Sequence, residues 1–227
     1  MLRALAHEPL TLRLLALLDL EGVHVLSESG EADLPRVYHR VITEVCRRHQ
    51  DDRRGDFSAA ELRRLLRVLG YTVMQSGQEL IRLDDLQRSL QALGLSIETS
   101  KTDSKATQLI LAISQRQSER DERAWEFLHR SLGEYLAAEF LASEIAVMVT
   151  RQKDEFGEQT YPLTQESLCR RWIERFGPAI VSPGVERFLE RMAGDWPAFF
   201  ERGVVSDPDR DLVLLAARLG SIYPALL

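Results

Sequence analysis

The sequence contains few cysteines and no long apolar stretch, and each shortage excludes a class of protein. Cys46 and Cys169 are the only two cysteines among 227 residues, too few for the disulfide framework of a secreted scaffold, so we expect a reducing, cytoplasmic setting. The longest apolar run near the N-terminus, Leu14–Leu18, is bounded by Arg13 and Asp19 and lacks the features of a signal peptide. No stretch approaches the roughly 20 apolar residues that a membrane-spanning helix needs, so we expect no membrane partner.

Glycine, proline and net positive charge are also scarce. The 13 glycines and 8 prolines are too few for a collagen-like or low-complexity chain, and 44% hydrophobic residues suffice for a folded core. A formal net charge of -6 at pH 7 argues against a general nucleic-acid binder, because such a protein requires a basic surface. The composition is that of a globular protein with one large domain or two small ones.

Helix start and stop signals recur along the chain and predict a mainly α fold. Ser58 and Glu61 form a capping box, and Gly70 is the expected stop of the helix that follows. Ser131 and Glu134 form a second box that opens a long helix through residue 149. Periodic apolar segments with recognisable start or stop residues predict the other helices, which cover residues 8–20, 35–48, 84–93, 106–114, 164–177, 182–194, 195–203 and 207–220.

The order of these elements indicates three successive units. The charged, apolar-free stretch at residues 49–56 separates an N-terminal helical unit, residues 1–54, from the next part of the chain. Three short helices followed by a hairpin, in which Trp125 and Phe127 alternate as in a strand, predict a winged-helix domain over residues 55–149. The serial short helices of residues 150–227 predict a second helical, superhelical (α-solenoid-like) region.

The sequence carries no catalytic motif, and its one metal-like cluster has an unsuitable spacing. It has no Walker A loop, dinucleotide-binding glycine motif, nucleophile elbow or H-E-x-x-H pair. His39, Cys46 and His49 share one predicted helix, but a zinc site requires a fourth ligand and a tighter spacing, so two solvated histidines and a packed cysteine are the preferred interpretation. Asp84 and Asp85 are interpreted as a helix cap and a dipole partner rather than a catalytic carboxylate pair.

His129 is the one position whose surroundings suggest ligand binding. It ends a predicted strand and lies two residues before the predicted cap Ser131, so its imidazole is expected beside a helix N-terminus. The unpaired amide groups and the dipole of such a terminus attract anions, and a phosphate group would fit there. A histidine bonded to a backbone carbonyl is the alternative that the spacing leaves open.

Residues 127–138, FLHRSLGEYLAA, closely resemble the F-x-H-x-S-F-x-E-Y-x-A-A signature that closes the winged-helix domain of NACHT-type signalling NTPases. These belong to the STAND class of switch ATPases, which includes NOD-like receptors and their bacterial antiphage relatives. Leu132 and Gly133 depart from the usual Phe and Gln or Arg. Residues 7–10, HEPL, resemble the proline motif of the family's first helical domain, and residues 34–46 resemble the helix after it, so the resemblance spans roughly residues 1–145.

The resemblance implies two nucleotide-contacting residues. The histidine matching His129 contacts the β-phosphate of ADP in the closed state, and the proline matching Pro9 packs beside the adenine. The nucleotide-binding core with its Walker motifs, which in the family lies N-terminal to this material, is not in the sequence, so we expect a fragment, a split product or a truncated reading frame. ADP or ATP would be bound together with that core. The isolated chain is expected to hold no cofactor and to catalyse nothing.

The resemblance therefore predicts the regulatory portion of a NACHT/STAND ATPase that latches the ADP-bound closed state in bacterial defence signalling. Its partners would be the nucleotide-binding core of the same parent protein and, on activation, further copies of that protein. Neither nucleic acid nor a membrane is an expected partner.

Two other functions compete with this interpretation. The first is a winged-helix DNA-binding regulator, suggested by a net charge of +3 over residues 33–67, which contain nine arginines and six acidic residues. Its arginines on the helix after Ser58 are Arg63, Arg64 and Arg67, but a charge so diluted is more often a solvated surface than a phosphate-binding footprint. The second is a ligand-free helical adaptor, in which His129 would be buried and bonded to a carbonyl.

Overall fold

The computed structural model describes residues 34–51, 58–77, 80–92, 114–116, 124–127, 129–149, 152–153, 159–160, 163–177 and 181–194. Pro9 lies outside these residues. So do the helices predicted at 8–20, 195–203 and 207–220 and nearly all of the one at 106–114. Ser114, the last residue of that predicted helix, belongs instead to a strand.

The described part of the chain is mainly α and contains six helices. The helices predicted at 84–93, 164–177 and 182–194 agree closely with observed ones, and the helix predicted at 35–48 continues three residues beyond its predicted end. The helices are α1 (Leu34–Asp51), α2 (Ala59–Ser76), α3 (Leu83–Ala92), α4 (Arg130–Val149), α5 (Gln165–Phe176) and α6 (Pro183–Gly194). None of the described helices combines the length with the apolar composition that crossing a lipid bilayer requires.

The start of α2 follows the sequence prediction, but its end does not. Ser58 accepts a hydrogen bond from the Glu61 amide, and the Glu61 carboxylate accepts one from the Ser58 amide, which confirms the capping box. The prediction that Gly70 stops the helix is wrong, because α2 continues to Ser76 and ends at Gly77, whose φ is +63°.

Gly70 instead allows α2 and α4 to approach each other closely. A Cβ atom at Gly70 would lie 2.6 Å from the Ala137 nitrogen and 2.9 Å from the Gly133 oxygen, both backbone atoms of α4. A glycine that ends a helix and a glycine that allows a second helix to approach look the same in a sequence, and only the partner helix distinguishes them.

The predicted capping box at the start of α4 is wrong. The helix begins at Arg130, so Ser131 lies inside its first turn. The Glu134 carboxylate accepts hydrogen bonds from Arg130 Nε at 3.3 Å and from the Ser182 hydroxyl at 2.9 Å. Because Ser182 also accepts the Val185 amide at the start of α6, Glu134 ties α4 to α6 instead of capping its own helix.

Short strands flank these helices. The strands β1 (Leu80–Arg82), β2 (Ser114–Arg116) and β3 (Ala124–Phe127) form an antiparallel sheet with β3 in the centre. The register pairs Ile81 with Trp125 and Arg116 with Trp125. The two-residue strands β4 (Gln152–Lys153) and β5 (Gln159–Thr160) pair with each other.

The larger buried core joins α1, α2, α3, α4 and α6 and centres on the contact between α2 and α4. The core is mainly leucine, alanine and aromatic side chains, and Gly133, a departure from the resembled signature, leaves room for the buried Phe127 ring. Fully buried members from α1, α2 and α4 include Tyr38, Ile42, Leu62, Leu66, Tyr135, Leu136 and Leu141, and α6 adds Val185, Phe188 and Met192. Burial of this set supplies the main stabilisation of the helical arrangement.

Candidate functional site

His129 lies immediately before α4, two residues after β3 ends. Its side chain is half-buried, and its Nδ1 atom accepts a hydrogen bond from the Ser131 amide at 3.3 Å. His129 therefore caps α4 and satisfies one of the amides that the first helical turn leaves without a partner. The structure thus places the imidazole beside a helix N-terminus, and the histidine rather than Ser131 is the capping residue.

The contacts of Ser131 determine which ring nitrogen of His129 carries the proton. Ser131 Oγ lies 2.5 Å from His129 Nδ1 and 2.5 Å from the Tyr38 hydroxyl. A backbone amide can only donate, so Nδ1 acts as an acceptor and the neutral ring carries its proton on Nε2. The consistent assignment is that Tyr38 donates to Ser131 and Ser131 donates to Nδ1. The chain of hydroxyls thus makes Nε2 a hydrogen-bond donor.

Tyr38 enters this chain from a rigid aromatic cluster. Its ring is fully buried and lies 5.6 Å from the Tyr135 ring and 6.1 Å from the Phe188 ring, measured between centroids. The Tyr135 and Phe188 rings meet edge to face at 5.8 Å. These tilted arrangements are favourable for aromatic pairs, so residues of α1, α4 and α6 together hold the Tyr38 hydroxyl in place.

A second polar network lies two helical turns further along α4. Glu139 is fully buried, and its Oε1 atom accepts hydrogen bonds from Arg63 Nε and Arg67 Nη2, both at 2.7 Å. Burial alone would raise the pKa of Glu139, but the adjacent Arg67 and Arg63 guanidinium groups outweigh it and lower the pKa. Glu139 is therefore an ionised carboxylate inside the core, paired with two arginines of α2.

Arg63 extends the second network to α1. Its Nη1 donates to Thr43 Oγ1 at 2.8 Å, and its Nη2 donates to His39 Nδ1 at 2.8 Å. Burial and the positive charge of Arg63 lower the pKa of His39 from 6.5 to about 4, so this histidine is neutral at pH 7. The Tyr135 hydroxyl lies 3.3 Å from the same Nδ1 atom. One guanidinium therefore joins α1, α2 and α4.

The other candidate residues do not form a site in the described part of the chain. His39 and Cys46 both lie on α1, burial raises the pKa of the Cys46 thiol to about 11, and the side chain of His49 lies outside the described residues. No group of three potential metal ligands occurs among the residues described. Asp84 and Asp85 lie in the first turn of α3, where Asp85 pairs with Arg88. The position of Pro9 relative to His129 lies outside the described residues.

The arginines that suggested DNA binding face different directions. Arg63 and Arg67 are mostly buried against Glu139, whereas Arg64 is exposed. Arg47 forms an exposed pair with Glu44. Two of the three α2 arginines are therefore neutralised inside the protein and are not presented to a phosphate backbone.

Sequence reasoning missed Tyr38, Glu139 and the role of Ser131. The apolar period of α1 marks Tyr38 as a core residue, but nothing local predicts where its hydroxyl ends. Glu139 interrupts the apolar stretch of α4, and a charged residue on a helix that is otherwise buried predicts an internal partner. That partner is 72 to 76 residues away in the sequence, so only the packing of α2 on α4 identifies it.

Comparison with known proteins yields no family model, curated sequence or solved structure that matches this chain. The functional argument therefore depends on the residues and their geometry.

Proposed function

We propose that this chain is the regulatory helical and winged-helix portion of a NACHT-type STAND ATPase. In this proposal His129 binds the β-phosphate of ADP in the closed state, and the chain catalyses nothing by itself. A nucleotide-binding core carrying Walker motifs would supply the rest of the site, with Pro9 beside the adenine. Defence signalling in bacteria, with self-assembly on activation, is the biological role that the resemblance suggests.

The observation that carries the proposal is the orientation of the His129 ring at the start of α4. Its Nδ1 atom accepts from Ser131, which makes Nε2 the donor in the neutral ring. A neutral donor to a phosphate oxygen contributes about 1.5–3 kcal/mol, which corresponds to roughly a 10- to 150-fold bias of a two-state equilibrium. A contact of that size is enough to latch a switch and still allow it to open.

The element order supports the winged-helix part of the proposal. The helices α2 and α3 precede the antiparallel pair β2 and β3, and α4 follows directly with the histidine at its start. A third helix before the pair falls among residues outside the description. The proposed superhelical region is supported by α5 and α6, two short capped helices in succession.

The competing functions receive less support. A DNA-binding role needs several uncompensated cations on one surface, but Arg63 and Arg67 form ion pairs with the buried Glu139. The ligand-free adaptor predicts a buried His129, whereas the side chain is half-buried and bonded to Ser131.

The test begins with the genomic DNA upstream of the Met1 codon, read in frame for a P-loop. In the protein that contains this core, we expect His129→Ala to speed ADP release by about 10- to 150-fold, because the phosphate contact is lost. Arg170→Ala, which removes an exposed arginine of α5, is the control and should leave release unchanged. An unaltered ADP release rate in His129→Ala would refute the proposal.

A further inference from the structure

The link between α1 and the His129 ring has a consequence for how the site is organised. Ser131 Oγ contacts both His129 Nδ1 and the Tyr38 hydroxyl, at 2.5 Å each. Tyr38 belongs to α1, 93 residues from Ser131, and α1 lies in the N-terminal unit that the sequence separates from the winged-helix domain. The proton position on His129 is therefore connected to the docking of another helix.

We propose that Tyr38 is a positioning residue for His129. By donating to Ser131, the Tyr38 hydroxyl directs the Ser131 hydroxyl proton toward Nδ1, and this favours the ring proton on Nε2, the atom that donates to the phosphate in the proposed function. The inference rests on the proposed function only for the identity of the ligand. If α1 moves away from α4, the Ser131 hydroxyl loses its donor and is free to turn, so only the Ser131 amide still favours the ring proton on Nε2.

The packing around Tyr38 fixes the position of its hydroxyl. Its ring is fully buried between the Tyr135 and Phe188 rings, so the hydroxyl cannot follow Ser131 by a change of side-chain conformation. The neighbouring hydroxyl of Tyr135 serves a different histidine, because it lies 3.3 Å from His39 Nδ1. The same aromatic cluster therefore holds two tyrosines, each assigned to one histidine.

This pairing supplies matched variants for the 227-residue chain without nucleotide. Long-range proton–nitrogen NMR correlation reports the two ring nitrogens of each histidine, and a fixed tautomer keeps their shifts far apart. We expect Tyr38→Phe to reduce this separation for His129, and Ser131→Ala to reduce it further because Ser131 is the direct partner. The reduction should be partial in both, since the Ser131 amide still donates to Nδ1. Tyr135→Phe, which also removes one buried hydroxyl, should leave His129 unchanged.

The inference is overturned if Tyr38→Phe leaves the His129 shifts unaltered, or if Tyr135→Phe changes them as much. Should Tyr38→Phe not fold, the unsubstituted chain provides the test. The Tyr38 hydroxyl proton should exchange slowly with water and give its own resonance, and Ser131→Ala should abolish it; a resonance that persists contradicts the inference. ADP release from His129→Ala tests the proposed function separately, so either idea can fail without the other.

Discussion

Helix α4 forms polar contacts with other helices at two places, its first turn and its middle, and the two sets of contacts differ in kind. At the first turn, a hydrogen-bond chain of two hydroxyl groups runs from Tyr38 through Ser131 to Nδ1 of the half-buried His129. In the middle, Glu139 is fully buried and the charges of Arg63 and Arg67 are directed at it. The same helix therefore carries a candidate ligand contact at its start and, two turns later, an internal ion cluster that joins α4 to α2.

The largest expected effect comes from breaking the buried ion cluster. Glu139→Gln leaves two arginines beside a neutral amide, so we expect a loss of about 3–5 kcal/mol in the free energy of unfolding, measured by urea denaturation. Glu166→Gln, which removes the carboxylate of an exposed pair with Arg170, should cost less than about 1 kcal/mol. Equal losses in the two variants would show that the Glu139 cluster does not stabilise the fold.

Gly70→Ala is expected to have the next largest effect. Alanine favours helices, but its Cβ would meet α4 backbone atoms at 2.6 and 2.9 Å, so we expect a net cost of about 1–3 kcal/mol. The two helices must separate, so the urea midpoint should fall. A more stable variant would contradict the close approach of the helices.

The remaining effect is a pH dependence of the free energy of unfolding to which His39 contributes, and it develops gradually, unit by unit of pH. Burial and Arg63 lower the pKa of His39 from 6.5 to about 4, so between these values the unfolded chain binds more protons than the folded chain. The stabilisation is complete above about pH 6.5 and is lost as the pH falls toward 4, by at most about 1.4 kcal/mol per pH unit. His39→Gln should remove this part of the slope in urea denaturation at several pH values. An identical slope in the variant would exclude His39 as its source.

Local rules predicted the helices that depend on local partners. The capping box at Ser58 and Glu61 and the Thr164 cap of α5 involve residues three apart, so sequence spacing alone identifies them. The same S-x-x-E spacing at Ser131 and Glu134 misleads, because other residues compete for both side chains. The Ser131 hydroxyl is hydrogen-bonded to Tyr38 and His129, and the Glu134 carboxylate accepts a hydrogen bond from Ser182.

The candidate site shows the same division. The sequence identifies His129 through a motif and a strand-to-helix junction, both of which are local features. It contains no sign that Tyr38 reaches Ser131, because the two residues are 93 positions apart and meet only when α1 packs on α4. The buried Glu139 is recognisable as an exception within an apolar helix, yet its partners are not.

By itself, the sequence determined where most of the described helices run and which imidazole stands at a helix start, because hydrophobic period and capping act over a few residues. Tertiary structure decided the rest. It determined that Gly70 allows a close helix contact instead of ending α2, that Ser131 links Tyr38 to His129 instead of capping α4, and that Arg63 and Arg67 face inward. Those outcomes depend on groups that are distant along the chain and compete for the same hydrogen bonds or the same space.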